Sequence, residues 1–247
     1  MLHDLITPNT FLISDTHFEH KSLVEFAPER FDGLTDNLHE LSPSELISLH
    51  DSHLTSAWNS VVHSNDRILC LGDFAWKKIP ESSSKLSGRK ILLCGNHDRG
   101  PDAYAKHWVQ VISNPIINIG GLQFSFDGPS TFNKHPTSCY ICDLEIDSQS
   151  VRILFSHFPV FDYSNPFDPV KFAQQRGLLE DLFTQFKCDL NIHGHIHGAN
   201  PTDERCINVC VEKLGMRPKT IKEVVKEFLN NRKVEGDPLV VDLNTSL

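Results

Sequence analysis

The chain has 247 residues, 39% hydrophobic and 22% charged, a balance that buries one sizeable core and excludes collagen-like and disordered classes. Lys and Arg number 23 against 32 Asp and Glu, a formal net charge of -9, so no general excess of positive charge is available to track nucleic-acid phosphates. No run approaches the roughly 18–20 apolar residues that span a bilayer, and no basic region precedes the apolar residues near Met1; the expectation is a cytoplasmic protein with no membrane contact and a single domain over 1–247.

In chain order, Phe11–Ser14 reads as a short buried strand. Pro43-Ser44, followed by Glu45, Leu46, Leu49, Leu54, Trp58 and Val61, reads as helix entry and an amphipathic stretch. Arg67–Leu71 stops at Gly72-Asp73, and Lys90–Cys94 stops at Gly95-Asn96, two further apolar runs ending in Gly plus a polar residue. Shorter strands follow at Val109–Ile112, Ile116–Ile119, Leu122–Phe126, Tyr140–Ile146 and Val151–Phe155, with turn signals that suggest antiparallel pairing. A helix at Val170–Phe186, strands at Leu190–Ile192 and Cys206–Val211, a helix at Thr220–Leu229 and a strand at Leu239–Val241 complete an α/β chain without repeats.

Seven cysteines make an odd count, and Cys70 and Cys94 fall inside apolar runs, where a thiol behaves as a small hydrophobe. Cys139 with Cys142 and Cys206 with Cys210 invite a zinc-ribbon reading, which their strand-like surroundings oppose.

In open α/β sheets, ligands bind beyond the carboxyl ends of the strands. There the sequence places Asp15-Thr16-His17, Gly72-Asp73, Gly95-Asn96-His97-Asp98, Ser156-His157 and Gly194-His195-Ile196-His197. Each set alone is ordinary turn chemistry; together Asp15, His17, Asp73, Asn96, His157, His195 and His197 offer carboxylate, amide and imidazole ligands with no thiolate. Such a mixed set suits Mn, Fe, Zn or Ni better than Ca or Mg. It is too large for one tetrahedral ion and matches two divalent ions sharing a bridging carboxylate.

The ordered set resembles the five signature motifs of the calcineurin-like metallophosphoesterase superfamily, spanning residues 15–197, and the surroundings Ser14–His20, Leu71–Phe74 and Asn208–Val211 resemble its small bacterial and phage branch. The resemblance implies a four-layer sandwich of two mixed β-sheets flanked by helices. It also implies that Asp15, His17 and His197 hold one ion, that Asn96, His157 and His195 hold the second, and that Asp73 bridges them. The implied reaction is attack of a metal-bridging hydroxide on phosphorus, with His97 protonating or stabilising the departing alkoxide. In the phosphoprotein phosphatase branch the second motif reads Gly-Asp-x-x-Asp-Arg-Gly, and its second Asp usually orients the acid His. Here the run is Gly72-Asp73-Phe74-Ala75-Trp76-Lys77. That departure turns the expectation towards a small phosphodiester or nucleotide-like phosphate ester.

Around the site, His20, Lys21 and Arg99 are candidate phosphate contacts or solvated loop charges; Phe158 and Phe161 read as packed loop residues, with stacking of a nucleobase the alternative, which Tyr163 shares. His193 has no slot in the motif pattern and is expected to pack or to support a ligand. The alternatives are a nuclease or a phosphomonoesterase on the same site, and, from a different class, a metal-binding interaction module that has lost the chemistry. The acidic composition speaks against long polynucleotides, and the filled ligand positions speak against the inactive module.

Overall fold

The computed structural model describes residues 6–37, 40–125, 131–132, 135–162 and 170–235. The expected strand Leu239–Val241, the closing residue Phe126 of another strand, and Tyr163 lie outside them.

Two mixed sheets stack face to face. The first is built from β1 (Phe11–Ile13), β2 (Arg67–Cys70), β3 (Arg89–Leu93), β4 (Gln110–Ile112) and a late strand, β13 (Lys219–Thr220), in the order β13-β1-β2-β3-β4. β1 to β4 are mutually parallel and β13 joins antiparallel. The second sheet comprises β5 (Pro115–Ile119), β6 (Leu122–Ser125), β9 (Cys139–Ile146), β10 (Gln149–Ser156), β11 (Leu190–His193) and β12 (Cys206–Asn208), in the order β12-β11-β10-β9-β5-β6. Thr131–Phe132 (β7) and His135–Pro136 (β8) pair with each other.

The antiparallel expectation for the second half holds for β5/β6 and β9/β10, which close on the two-residue turns Gly120-Gly121 and Asp147-Ser148. All four of these turn residues have positive φ, as the hairpin turns that match strand twist require. It fails for β5/β9 and for β4, which pairs parallel with β3; β10/β11 and β11/β12, beyond the strands of that expectation, are parallel as well. Between β10 and β11 the crossover helix α4 (Ala173–Gln185) supplies the long connection that parallel neighbours need.

Strand alternation sorts the apolar side chains into layers. Leu12, Leu69, Ile91 and Leu93 face the second sheet and meet Tyr140, Ile153, Phe155 and Ile192 between the sheets. Their neighbours Ile13, Ile68, Cys70 and Leu92 face outward onto Leu54 and Trp58 of α2 (Pro43–Asn59). On the far side Cys139, Ile141 and Leu154 meet Leu179, Leu182 and Phe183 of α4. The result is the expected four-layer α/β sandwich. α2 starts at a capping box: the Glu45 N–H donates to the Ser42 hydroxyl, and the Ser42 N–H donates to the Glu45 carboxylate at 2.8 Å.

The same alternation disposes of the zinc ribbon. Cys139 and Cys142 are an odd number of residues apart on β9, so one packs under α4 and the other between the sheets. All seven cysteines are buried and free.

Short helices α1 (Leu23–Phe26) and α3 (Ile79–Ser84), 3-10 turns at Pro28–Phe31 and Pro101–Ala103, and a terminal α5 (Ile221–Glu235) complete the chain. No helix among the described residues is long and apolar enough to cross a membrane.

Candidate metal centre

Because β1, β2 and β3 run parallel, as do β10 and β11, their carboxyl ends open on one edge of the sandwich. Asp15 follows β1, Asp73 follows β2, Asn96 follows β3, His157 follows β10, and His195 and His197 follow β11. Four of these residues and His17 hold left-handed backbone: Asp15, His17, Asp73, His195 and His197, with φ between 48° and 71°. Strain of that kind is concentrated where side chains must be aimed. The turn is held by main-chain bonds from Asp15 N–H to Gly72 O and from His17 N–H to Asp73 O, both 3.0 Å.

Each side chain is tied at one atom and leaves another facing its neighbours. Asp15 Oδ2 accepts from the Ser14 hydroxyl (2.6 Å), the His195 N–H (2.8 Å) and the Cys210 thiol (3.2 Å), while its buried Oδ1 has no hydrogen-bond partner. Gly194 permits this approach, since a Cβ there would collide with the Ser14 hydroxyl and the Asp15 carboxylate. Asp73 Oδ1 accepts from the His97 N–H at 2.9 Å; its Oδ2 sits 3.8 Å from His17 Nε2 and 3.5 Å from His157 Nε2. His157 donates from Nδ1 to Leu71 O at 2.8 Å, and Asn96 Oδ1 (2.9 Å) and His195 Nδ1 (3.2 Å) converge on its Nε2.

Two groups of ligand atoms therefore gather, each within 4.8 Å: Asp15, His17 and His197, and Asp15, Asp73 and His157. The unpartnered Asp15 Oδ1 and His17 Nε2, both buried, fit a bound cation, which would satisfy lone pairs that no protein donor reaches. The electrostatics agree. Burial drives His17 down to about 3, and burial with the neighbouring His157 holds His195 well below the usual imidazole range, so both imidazoles are neutral. Burial raises Asp15, but His157, His17 and His197 outweigh it and keep the carboxyl ionised. For the protein groups alone, burial pushes Asp73 up to about 7 against the pull of His157. Two carboxylates this close demand positive charge.

Asp98, next to His97, binds the second and third motifs together. Its Oδ2 accepts from the N–H groups of Asp73 and Gly95, each at 2.7 Å, and its Oδ1 from Phe74 N–H (3.1 Å) and the Tyr104 hydroxyl (2.6 Å).

A cavity of about 410 Å³ opens over the cluster, lined among others by His17, His20, Phe26, His97, Lys171 and Phe172. His97 is exposed at its mouth. Trp76, which occupies the place of the second-motif aspartate of the phosphatase branch, sets its ring 5.3 Å from His97 and 4.4 Å from His20. A wider cavity of about 590 Å³ lies on the other face of the 18–21 loop; it offers lysines and hydroxyls but no imidazole, so the chemistry belongs to the smaller one.

One candidate contact is corrected, and the packing of Phe158 is as the sequence suggests. Phe161 does not stack over the site: its ring packs 5.1 Å from Phe183 and beneath the Arg205 guanidinium, because the segment after His157 turns onto α4. Phe158 is buried behind the rings of His157 and His195. The exposed aromatics at the mouth are Phe26 and Trp76, which no spacing marked, while Phe172 borders the cavity but is itself buried; an exposed Phe or Trp just after a motif was the available signal. His20 lines the cavity, Arg99 is exposed on the loop beyond His97, and His193 is buried, bonding Gly194 O from Nδ1 at 2.8 Å.

Fold and site together define a two-sheet α/β protein with an Asp/His cluster for divalent cations at its strand ends. The chain belongs to the calcineurin-like phosphoesterase family, whose profile matches residues 9–199, and is in general terms a metal-dependent phosphoesterase. It is 28% identical over 200 residues to the Gene 66 protein of Mycobacterium phage L5, covering 76% of this chain and 77% of that protein. It is 31% identical over 229 residues to the uncharacterized protein MJ1445 of Methanocaldococcus jannaschii, covering 87% and 89%. The crystal structure of AQ665 from Aquifex aeolicus, a protein of unknown function, shares the fold with a TM-score of 0.60 at 24% identity, over 88% of this chain and 97% of that one.

Proposed function

We propose that the protein hydrolyses a small phosphodiester or nucleotide-like phosphate ester at a two-ion centre, Asp15, His17 and His197 holding one ion, Asn96, His157 and His195 the other, and Asp73 bridging. The observation that carries this reading is the pair of ligand groups that share Asp15, with Asp73 Oδ2 lying between His17 Nε2 of one group and His157 Nε2 of the other. When bound, divalent ions (Mn, Fe or Zn) supply Lewis acidity towards the phosphate oxygens and a nucleophilic water at neutral pH.

The chain's own residues do the rest. Neutral His17 and His195 present lone pairs without having to shed protons. His97, at the mouth with its main chain pinned to Asp73, donates a proton to the departing oxygen. Lys171 brings positive charge to a chain that is acidic overall, and the exposed Phe26 and Trp76 offer flat faces to a base or aryl group. Trp76 in place of an aspartate leaves a less charged, more apolar approach, which favours a diester over a phosphoprotein.

The test is turnover by chelator-stripped, Mn-reconstituted protein on bis-p-nitrophenyl phosphate and p-nitrophenyl phosphate at equal concentration. Preferential diester cleavage supports the reading; preferential monoester cleavage replaces it with a phosphomonoesterase. His97→Ala is expected to slow cleavage of esters with poor leaving groups by about 10²–10⁴-fold with both ions retained. Parent-like turnover on such esters refutes the acid role.

A further inference from the structure

Behind the first ligand group lies a buried ion pair that the chemistry above does not use. Arg30 comes from the Pro28–Phe31 turn, and Glu212 lies 182 residues away beyond β12. The Arg30 side chain is fully buried and that of Glu212 is 6% exposed. Nε and Nη2 of Arg30 approach Glu212 Oε1 at 2.7 and 2.6 Å. The same guanidinium donates to the carbonyl of Asp15 (2.8 Å) and reaches that of Thr16 (3.4 Å).

Both charged groups also face one atom of a candidate ligand. His197 Nδ1 is 2.9 Å from Glu212 Oε1 and 3.0 Å from Arg30 Nη2. These contacts compete. If Nδ1 carries the proton, it donates to Glu212 and leaves a lone pair on Nε2, the atom 3.8 Å from Asp15 Oδ1. If Nδ1 is bare, it accepts from Arg30, and the proton on Nε2 points at the ligand cluster, where it blocks coordination.

Resting on the metal-centre reading, we propose that Glu212 and Arg30 are a positioning pair. Glu212 selects the Nδ1–H tautomer of His197 and aims its Nε2 at the first ion. Arg30 holds Glu212 in place and, through the Asp15 and Thr16 carbonyls, fixes the left-handed turn that carries Asp15 and His17. One buried pair thereby joins the first and last motifs and sets from behind Asp15, His17 and His197, the three ligands assigned to the first ion alone.

Glu212→Leu alone strands a buried guanidinium and threatens folding, so the informative variant is the double Arg30→Leu/Glu212→Leu, which removes both charges and the acceptor together. Imidazole ¹⁵N NMR of the chelated parent at pH 8 is expected to show His197 protonated at Nδ1, with the Nε2–H tautomer emerging in the double variant. Calorimetric titration with Mn is expected to show one of the two ions weakened about 10–100-fold in the double variant and the other unchanged. Glu212→Gln, whose amide oxygen still accepts from Nδ1, is expected to stay close to the parent. An Nε2–H tautomer in the parent, or parent-like affinity for both ions in the folded double variant, overturns the inference alone. A parent that binds no ion overturns the metal-centre reading and the inference with it.

Discussion

Replacing Asp98 tests whether one carboxylate ties the second and third motifs into a single site. Its two oxygens accept four hydrogen bonds, from the N–H groups of Asp73, Phe74 and Gly95 and from the Tyr104 hydroxyl. Asp73, Phe74, Gly95 and Tyr104 are all buried, so water cannot replace the lost acceptor freely. Each unsatisfied donor costs about 1–3 kcal/mol and the four losses overlap, so Asp98→Ala is expected to destabilise by about 3–5 kcal/mol. For a chain of this size that is a fall in Tm of roughly 6–20 °C. Asp98→Asn is the sharper variant: it keeps the shape but offers one acceptor oxygen where two are used, and turns an NH₂ towards N–H donors. It should lose nearly as much as the alanine. Tyr104→Phe removes a single bond and should cost about 1 kcal/mol. Urea unfolding at constant m, with ion content measured alongside, checks all three. The reasoning fails if Asp98→Asn stays within about 1 kcal/mol of the parent and keeps the parent's ion content.

Trp76→Ala should lower kcat/KM on nucleotide or aryl diesters roughly tenfold, the value of a lost stacking face, while methyl diesters change little; equal losses on both would refute a stacking role. Burial holds the His50 imidazole below its ordinary 6.5 against the hydrogen bond to Asp51. As pH falls below 6.5 the unfolded chain therefore takes the proton first, and stability present above that pH is lost as the folded pKa is passed. His50→Leu should flatten that part of the urea midpoint against pH curve, and an unchanged slope would assign the acid sensitivity elsewhere. Chelator should lower Tm, and Mn should restore it with a concentration-dependent gain of about 2.7 kcal/mol at a hundred times Kd; a Tm indifferent to Mn would contradict the ligand groups.

The strand ends were legible because the backbone there admits few residue types. A parallel strand that stops at a left-handed turn selects Gly, Asp, Asn or His, so Asp15, Asp73 and His195 show themselves as polar residues after apolar runs. Helices α2, α4 and α5 were legible from spacing, whereas α1 and α3, of four and six residues, are too short to establish a period. The reading Cys206–Val211 overran β12 because the apolar alternation continues after pairing ends. Asn208 stops the strand by donating to the carbonyls of His197 and Ala199 and accepting from the Cys210 N–H.

Arg30 and Glu212 were illegible for the complementary reason. Pro-Glu-Arg-Phe reads as a solvated turn and Glu212 as a charge after a strand, and nothing local distinguishes either from the exposed Glu29 or Lys213. Their burial is decided only when the Pro28–Phe31 turn and the segment beyond β12 meet under His197. The ligands answer to the backbone that bears them, and so to their neighbours in sequence; the groups that orient the ligands answer to an electrostatic demand formed across 182 residues. A charged residue in such a place is costly unless paired and hydrogen-bonded, and here the pair contacts both a carbonyl-lined turn and an imidazole. That is why its removal should be read in ion affinity and tautomer as well as in stability.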